Sequence, residues 1–174
     1  INRCLVGSEM CIRDSSLTIQ DSEIIHNKLS HTSSASEAEF AGAGICVAYN
    51  TPVTISDSVI SNNELSVAYG RGYGGGIFID GTNSNNESVV EISGTEIKSN
   101  FVTIDEGKIG NYIGSGGFYI HYCASLYISK SDISSNSISA DITSAGGGIG
   151  VYFCEEAIIT DTSFADNIVT VSGD

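Results

Sequence analysis

At 174 residues and 41% hydrophobic content the chain is long and apolar enough for one sizeable core, which excludes wholesale disorder and leaves little room for two full domains. A formal charge of −14 argues against nucleic acid or an anionic membrane surface as partner, because both recruit basic residues. Twenty glycines, one proline and no tryptophan, among abundant Ser, Thr, Ile and Val, point to short strands joined by turns, and the lack of any run of 18 apolar residues argues against membrane insertion by this segment.

The chain opens INRCLVGSEMCIRDS (1–15), unlike anything that follows. Its LVGSEMCIRD (5–14) resembles a transposase-type sequencing-library adapter translated in one frame. Residues 1–15 are therefore read as a non-native scar and set aside from the fold. The competing reading, a Cys-x6-Cys metal or redox loop through Cys4 and Cys11, has no common zinc spacing and no histidine partner. On this reading residues 16–174 are one repeat domain truncated at both ends, an interior fragment of a longer protein.

The repeat begins at Leu17 with LTIQDSEIIHNKL. It returns as VTISDSVISNNEL from Val53, VEISGTEIKSNFV from Val90, LYISKSDISSNSI from Leu126 and AIITDTSFADNIV from Ala157. The shared pattern is h-x-I-x-x-S/T-x-I/F-x-x-N-x-h, where h is apolar. Its isoleucines are Ile19, Ile55, Ile92, Ile128 and Ile159. Its asparagines are Asn27, Asn63, Asn100, Asn136 and Asn167, separated by 36, 37, 36 and 31 residues. Between these segments stand glycine-led blocks, GAGICV from Gly42, GGGIFI from Gly74, SGGFYI from Ser115 and GGGIGV from Gly146. Each block carries an alternating apolar pair (Ile45 and Val47, Ile77 and Ile79, Phe118 and Ile120, Ile149 and Val151), the period of a strand with one buried face. The glycines suit a tight corner or a close backbone approach.

A unit of two or three short strands cannot bury its apolar face alone and must stack on the next copy. Stacking at ~4.8 Å per copy turns the isoleucines into an internal ladder. It turns the asparagines into a second ladder at a corner, where amides bond to the copies above and below and where Asn tolerates left-handed angles. The expected fold is all-β, a right-handed parallel β-helix of four to five coils, roughly 20–24 Å long. The irregular segments 30–41, 66–74, 80–88, 103–115 and 139–145 are expected outside the stack.

These alternating motifs resemble the polymorphic membrane protein repeat of chlamydial surface autotransporters and related surface proteins, whose motifs read GGA followed by Ile, Leu or Val, and FxxN. Residues 74–77 and 146–149 (GGGI) match with Gly in place of Ala, and 164–167 (FADN) is a literal FxxN. Ile24, Ile60, Ile97 and Ile133 replace Phe in the other copies. The resemblance covers about residues 17–169. It implies a pectin-lyase-like β-helix, an extracellular or cell-surface location, and a role as a surface-exposed passenger in adhesion.

Other motifs are weighed on their residues. GRGYGG (70–75) fits G-x-G-x-x-G, but an IFI strand follows where a dinucleotide site needs a helix, so it is read as a corner loop. Asp21, Asp57 and Asp161 recur at one corner, with Gly94 and Lys130 in the intervening copies, and are read as turn residues. Phe78, Tyr119 and Tyr152 sit at outward positions of the glycine-led strands, with Asp80 and His121 beside them. They are either a sugar-contact face or a satellite core under the loops. Cys123 and Cys154 hold equivalent positions, so a spacing of ~4.8 Å permits a disulfide and equally two packed thiols. Cys46 has no equivalent partner, Asn86 heads one glycosylation sequon, and His26, His31 and His121 occupy unrelated places. No metal site and no cofactor is expected.

Together these readings describe a non-catalytic extracellular segment, a structural stalk or adhesin whose partners are cell-surface glycans or host or partner proteins. The alternative is part of a β-helical carbohydrate-active enzyme, a polysaccharide lyase or glycoside hydrolase. That class needs converging carboxylates with a basic partner on adjacent coils. The basic residues Lys28, Arg71, Lys98, Lys108 and Lys130 fall in different registers of the repeat and do not reveal one.

Overall fold

A computed structural model of the chain describes residues 16–32, 39–48, 51–81, 88–106, 114–140 and 146–171. The opening stretch 1–15, Asn86 and Lys108 lie outside the described residues. All regular structure among the described residues is strand. The first repeat supplies β1 (Leu17–Gln20), β2 (Glu23–Ile25), β3 (Lys28–His31), β4 (Glu39–Ala41) and β5 (Ile45–Ala48). The second supplies β6 (Val53–Ser56), β7 (Val59–Ser61), β8 (Glu64–Tyr69), β9 (Arg71–Tyr73) and β10 (Ile77–Asp80). Then follow β11 (Val89–Ser93), β12 (Glu96–Lys98), β13 (Phe101–Glu106), β14 (Phe118–Ser129), β15 (Asp132–Ser134) and β16 (Ser137–Ala140), and finally β17 (Ile149–Thr160), β18 (Ser163–Ala165) and β19 (Ile168–Val171).

Strands pair with their counterparts one repeat away, in parallel. One sheet runs β2-β7-β12-β15-β18 and a second β3-β8-β13-β16-β19. A seven-stranded sheet joins two runs through its long strands. The first half of β14 pairs with β10 and its second half with β11, while β17 follows β14 along both halves. The join bends at Tyr122 and Phe153, which take left-handed φ angles of 60° and 55°. A fourth, two-stranded sheet pairs β4 with β9.

The register explains the core. Ile19, Ile55, Ile92, Ile128 and Ile159 are successive partners, and Ile55, Ile92 and Ile128 are buried. They pack against Ile60, Ile97 and Ile133 of the neighbouring sheet. Each such fully buried side chain contributes about 2–3 kcal/mol. A second cluster holds Leu65, Val102 and Ile138, with Val67, Ile104 and Ala140 further along the same strands. The ladders emerge at the last described repeat, where Ile159, Phe164 and Val169 are exposed.

Two corners share one construction, a left-handed residue followed by a polar one. At the first, Asp21, Asp57, Gly94, Lys130 and Asp161 have φ between 48° and 58°. The next residue, Ser22, Ser58, Thr95, Ser131 or Thr162, turns its hydroxyl back onto the carbonyl two residues earlier. Ser58, Ser131 and Thr162 also accept the backbone N–H of the preceding copy. At the second corner the left-handed residues are His26, Asn62, Ser99, Ser135 and Asp166. This corrects the expectation that the ladder asparagines themselves take that conformation. It falls one residue earlier, which leaves each asparagine side chain directed along the stack.

Candidate functional site

The asparagine corner forms a relay. Asn63 Nδ2 and Asn63 N–H both donate to Asn100 Oδ1, at 2.9 and 3.1 Å. Asn100 donates in the same way to Asn136, Asn136 to Asn167, and Asn27 to Asn63. The second Nδ2 hydrogen reaches a backbone carbonyl one repeat back, from Asn63 to Ile24, Asn100 to Ile60, Asn136 to Ile97 and Asn167 to Ile133. A buried amide has two donors and two acceptor lone pairs, and here all four are used. The glycine-led blocks close over this relay. A Cβ on Gly76 would stand 2.9 Å from Asn100 Cγ, and one on Gly117 or Gly148 2.9 Å from the Cγ of Asn136 or Asn167. Glycine at these positions makes room for the amide.

The outward face of the glycine-led strands builds a pocket. In register, Cys46, Phe78, Tyr119 and Gly150 form one row, and Ala48, Asp80, His121 and Tyr152 the next. Phe78 and Tyr119 stack with centroids 6.0 Å apart and planes 3° from parallel, and Tyr73 of β9 lies 5.5 and 5.6 Å from them. These two rings are buried, whereas Tyr152 is 38% exposed. Tyr152 belongs to the other row and stacks on His121 at 5.4 Å. A Cβ on Gly150 would meet the Tyr119 ring at 2.8 Å, so glycine here gives that ring its space.

The β4–β9 sheet brings in Glu39 and Arg71, register partners joined by an ion pair at 3.1 Å. Burial works against the Arg71 charge. Its hydrogen bond with Tyr73 and the negative potential of Tyr73 and Glu39 outweigh that and hold the guanidinium above its ordinary pKa. From the bend come Tyr122 and Phe153, stacked at 5.0 Å, and Tyr152 meets Phe153 at 64°. The next residues, Cys123 and Cys154, are joined by a disulfide with Cα atoms 4.5 Å apart.

The partly open cavity measures about 340 Å³ and is lined by Glu39, Ala41, Arg71, Tyr73, Phe78, Asp80, Tyr119, His121, Tyr122, Tyr152 and Phe153. Asp80 is almost wholly buried, and its Oδ1 makes no hydrogen bond. His121 Nδ1 approaches it to 3.3 Å, an ion pair only when the imidazole is protonated. Of the other sequence-singled residues, His26 and the three corner aspartates occupy left-handed turns, and His31 stacks on Phe40. The GRGYGG segment turns through Gly70 and Gly74 into β10. Among the described residues no group of three or more His, Cys, Asp or Glu is placed to hold a metal ion.

Glu39, Tyr73, Tyr122 and Phe153 carry no site expectation from the sequence, and Arg71 only that of a basic residue out of register with the others. A signal existed for Tyr122 and Phe153, which stand 31 residues apart like the cysteines that follow them. Glu39 and Arg71 are opposite charges 32 residues apart, close to one repeat. Comparison with protein families, with curated proteins and with solved structures finds no match to this chain.

Proposed function

We propose that the chain is a segment of a right-handed parallel β-helix that serves as a non-catalytic stalk or adhesive surface of an extracellular or cell-surface protein. The observation that carries this reading is the pairing of three strands per repeat with their counterparts in the next, in chain order. Such stacking makes a rod whose length scales with repeat number. On it the aromatic-walled cavity is a recognition point for a surface glycan or a partner protein. Concave sites of this size, apolar with a few converging polar groups, are how proteins hold ligands.

A second reading, a carbohydrate-active enzyme, is favoured by one specific observation. The cavity gathers Asp80, Glu39, His121 and Arg71, two carboxylates with basic neighbours. The Glu39 charge is already matched by Arg71, which leaves one carboxylate where paired glycosidic chemistry uses two. Incubating the protein with a panel of plant, bacterial and animal polysaccharides separates the two. Retention on a polysaccharide without new reducing ends or unsaturated products is expected. Sustained product release, abolished in Asp80→Asn, would establish the enzyme instead.

A further inference from the structure

We infer that the aromatic cavity recognises a small organic cation, an alkylammonium group, whether carried by a free alkylammonium ion or by an amino sugar. The inference rests on the recognition reading above and names the chemistry of what is recognised. Its first support is Asp80. A carboxylate whose side chain is 5% exposed and whose Oδ1 has no hydrogen-bond donor is costly unless a charge partner completes it. His121 supplies one only as an imidazolium. The Arg71 guanidinium pairs with Glu39, the other carboxylate of the lining.

The second support is independent of charge on side chains. Cations are drawn to the negative faces of aromatic rings within about 6 Å. Tyr152 and Phe153 line the cavity, their rings set edge to face at 64° with centroids 4.3 Å apart. Tyr73 and Tyr119 also line it. Aromatic walls that share a lining with a buried carboxylate suit an ammonium group, which gains from both the ring quadrupoles and the negative charge. A volume of about 340 Å³ admits a molecule of choline or monosaccharide size, and a chain charge of −14 raises the local concentration of cations.

The test uses the full chain with matched probes, read by calorimetry and by ligand-observed NMR. Choline is compared with its uncharged isostere, in which carbon replaces the quaternary nitrogen. Glucosamine is compared with N-acetylglucosamine. Each cation is expected to bind about tenfold or more tightly than its neutral counterpart. Asp80→Asn, with an unchanged thermal midpoint, is expected to remove that preference. Choline alone binding assigns a free alkylammonium ion, and glucosamine alone assigns the sugar. Neutral sugars binding as well as charged ones would overturn the cation while leaving the recognition point intact. No binding by any probe would overturn the cation, and the recognition reading also falls if the polysaccharide panel retains nothing.

Discussion

Asn100 carries more of this fold than its size suggests, because its amide serves three repeats at once. Truncating it strips the acceptor from Asn63 N–H and Nδ2 and the donor from the Ile60 carbonyl, all deep in the stack. Unsatisfied buried groups cost about 1–3 kcal/mol each. Asn100→Ala is therefore expected to lower stability by about 3 kcal/mol, or roughly 6–12 °C in thermal midpoint. Asn27, exposed at the first described repeat, should tolerate the same change with less than half that loss. Equal effects at the two positions would show that the relay is not cooperative along the stack. The first corner offers a second contrast. Lys130 takes a left-handed φ of 51° where the copy before it has Gly94. Lys130→Gly relieves a strain of about 1 kcal/mol and should raise the midpoint. Gly94→Ala should lower it, since Gly94 takes a left-handed φ of 58° that a Cβ strains. Denaturant midpoints of the two variants, measured side by side, check the sign.

Among the elements, β14 and β17 do what no earlier strand does, each crossing a corner without a break. Tyr122 and Phe153 absorb the bend with left-handed angles, and the disulfide follows immediately on both strands. Closing 31 residues, it is expected to add about 3–4 kcal/mol by restricting the unfolded chain. It also follows directly on the stacked Tyr122 and Phe153 rings that line the cavity. The double variant Cys123→Ser with Cys154→Ser should lose that stability and alter the near-ultraviolet circular dichroism of the tyrosines. An unchanged midpoint would mean that the strand pairing alone sets the bend.

Across the molecule the cavity is a product of stacking, since its walls come from β4, β9, β10, β14 and β17. No single repeat contains it. The charge of −14 bears on the whole stack too, because like charges on adjacent repeats repel at strand spacing. Screening reduces this, so raising ionic strength from ~10 mM to ~150 mM should raise the thermal midpoint. A midpoint that falls with salt would assign the surface ion pairs, such as Lys28 with Glu64, the larger share.

The amino-acid order already contains the parallel register, the isoleucine ladder positions and the stacking of Cys123 on Cys154. The reason is that an in-register parallel stack sets each residue beside its own equivalent, so spacing along the chain converts directly into neighbourhood in space. What that rule does not reach had to come from the folded chain. The left-handed residue precedes the asparagine because the amide must lie along the stack, a choice of backbone angle invisible in a pattern of residue types. The glycines opposite the relay leave room for the asparagines, which a Cβ would meet at 2.9 Å, as well as for the carbonyl of the next copy, 2.7 Å from a Cβ on Gly76; the asparagine contact joins residues far apart in the repeat. Glu39 and Arg71 come from irregular segments with no strict period, and they meet because β4 and β9 pair outside the repeated strands. The cavity thus depends on strands outside the strict repeat that packing places, while the parallel sheets beneath it follow from periodic burial of apolar surface.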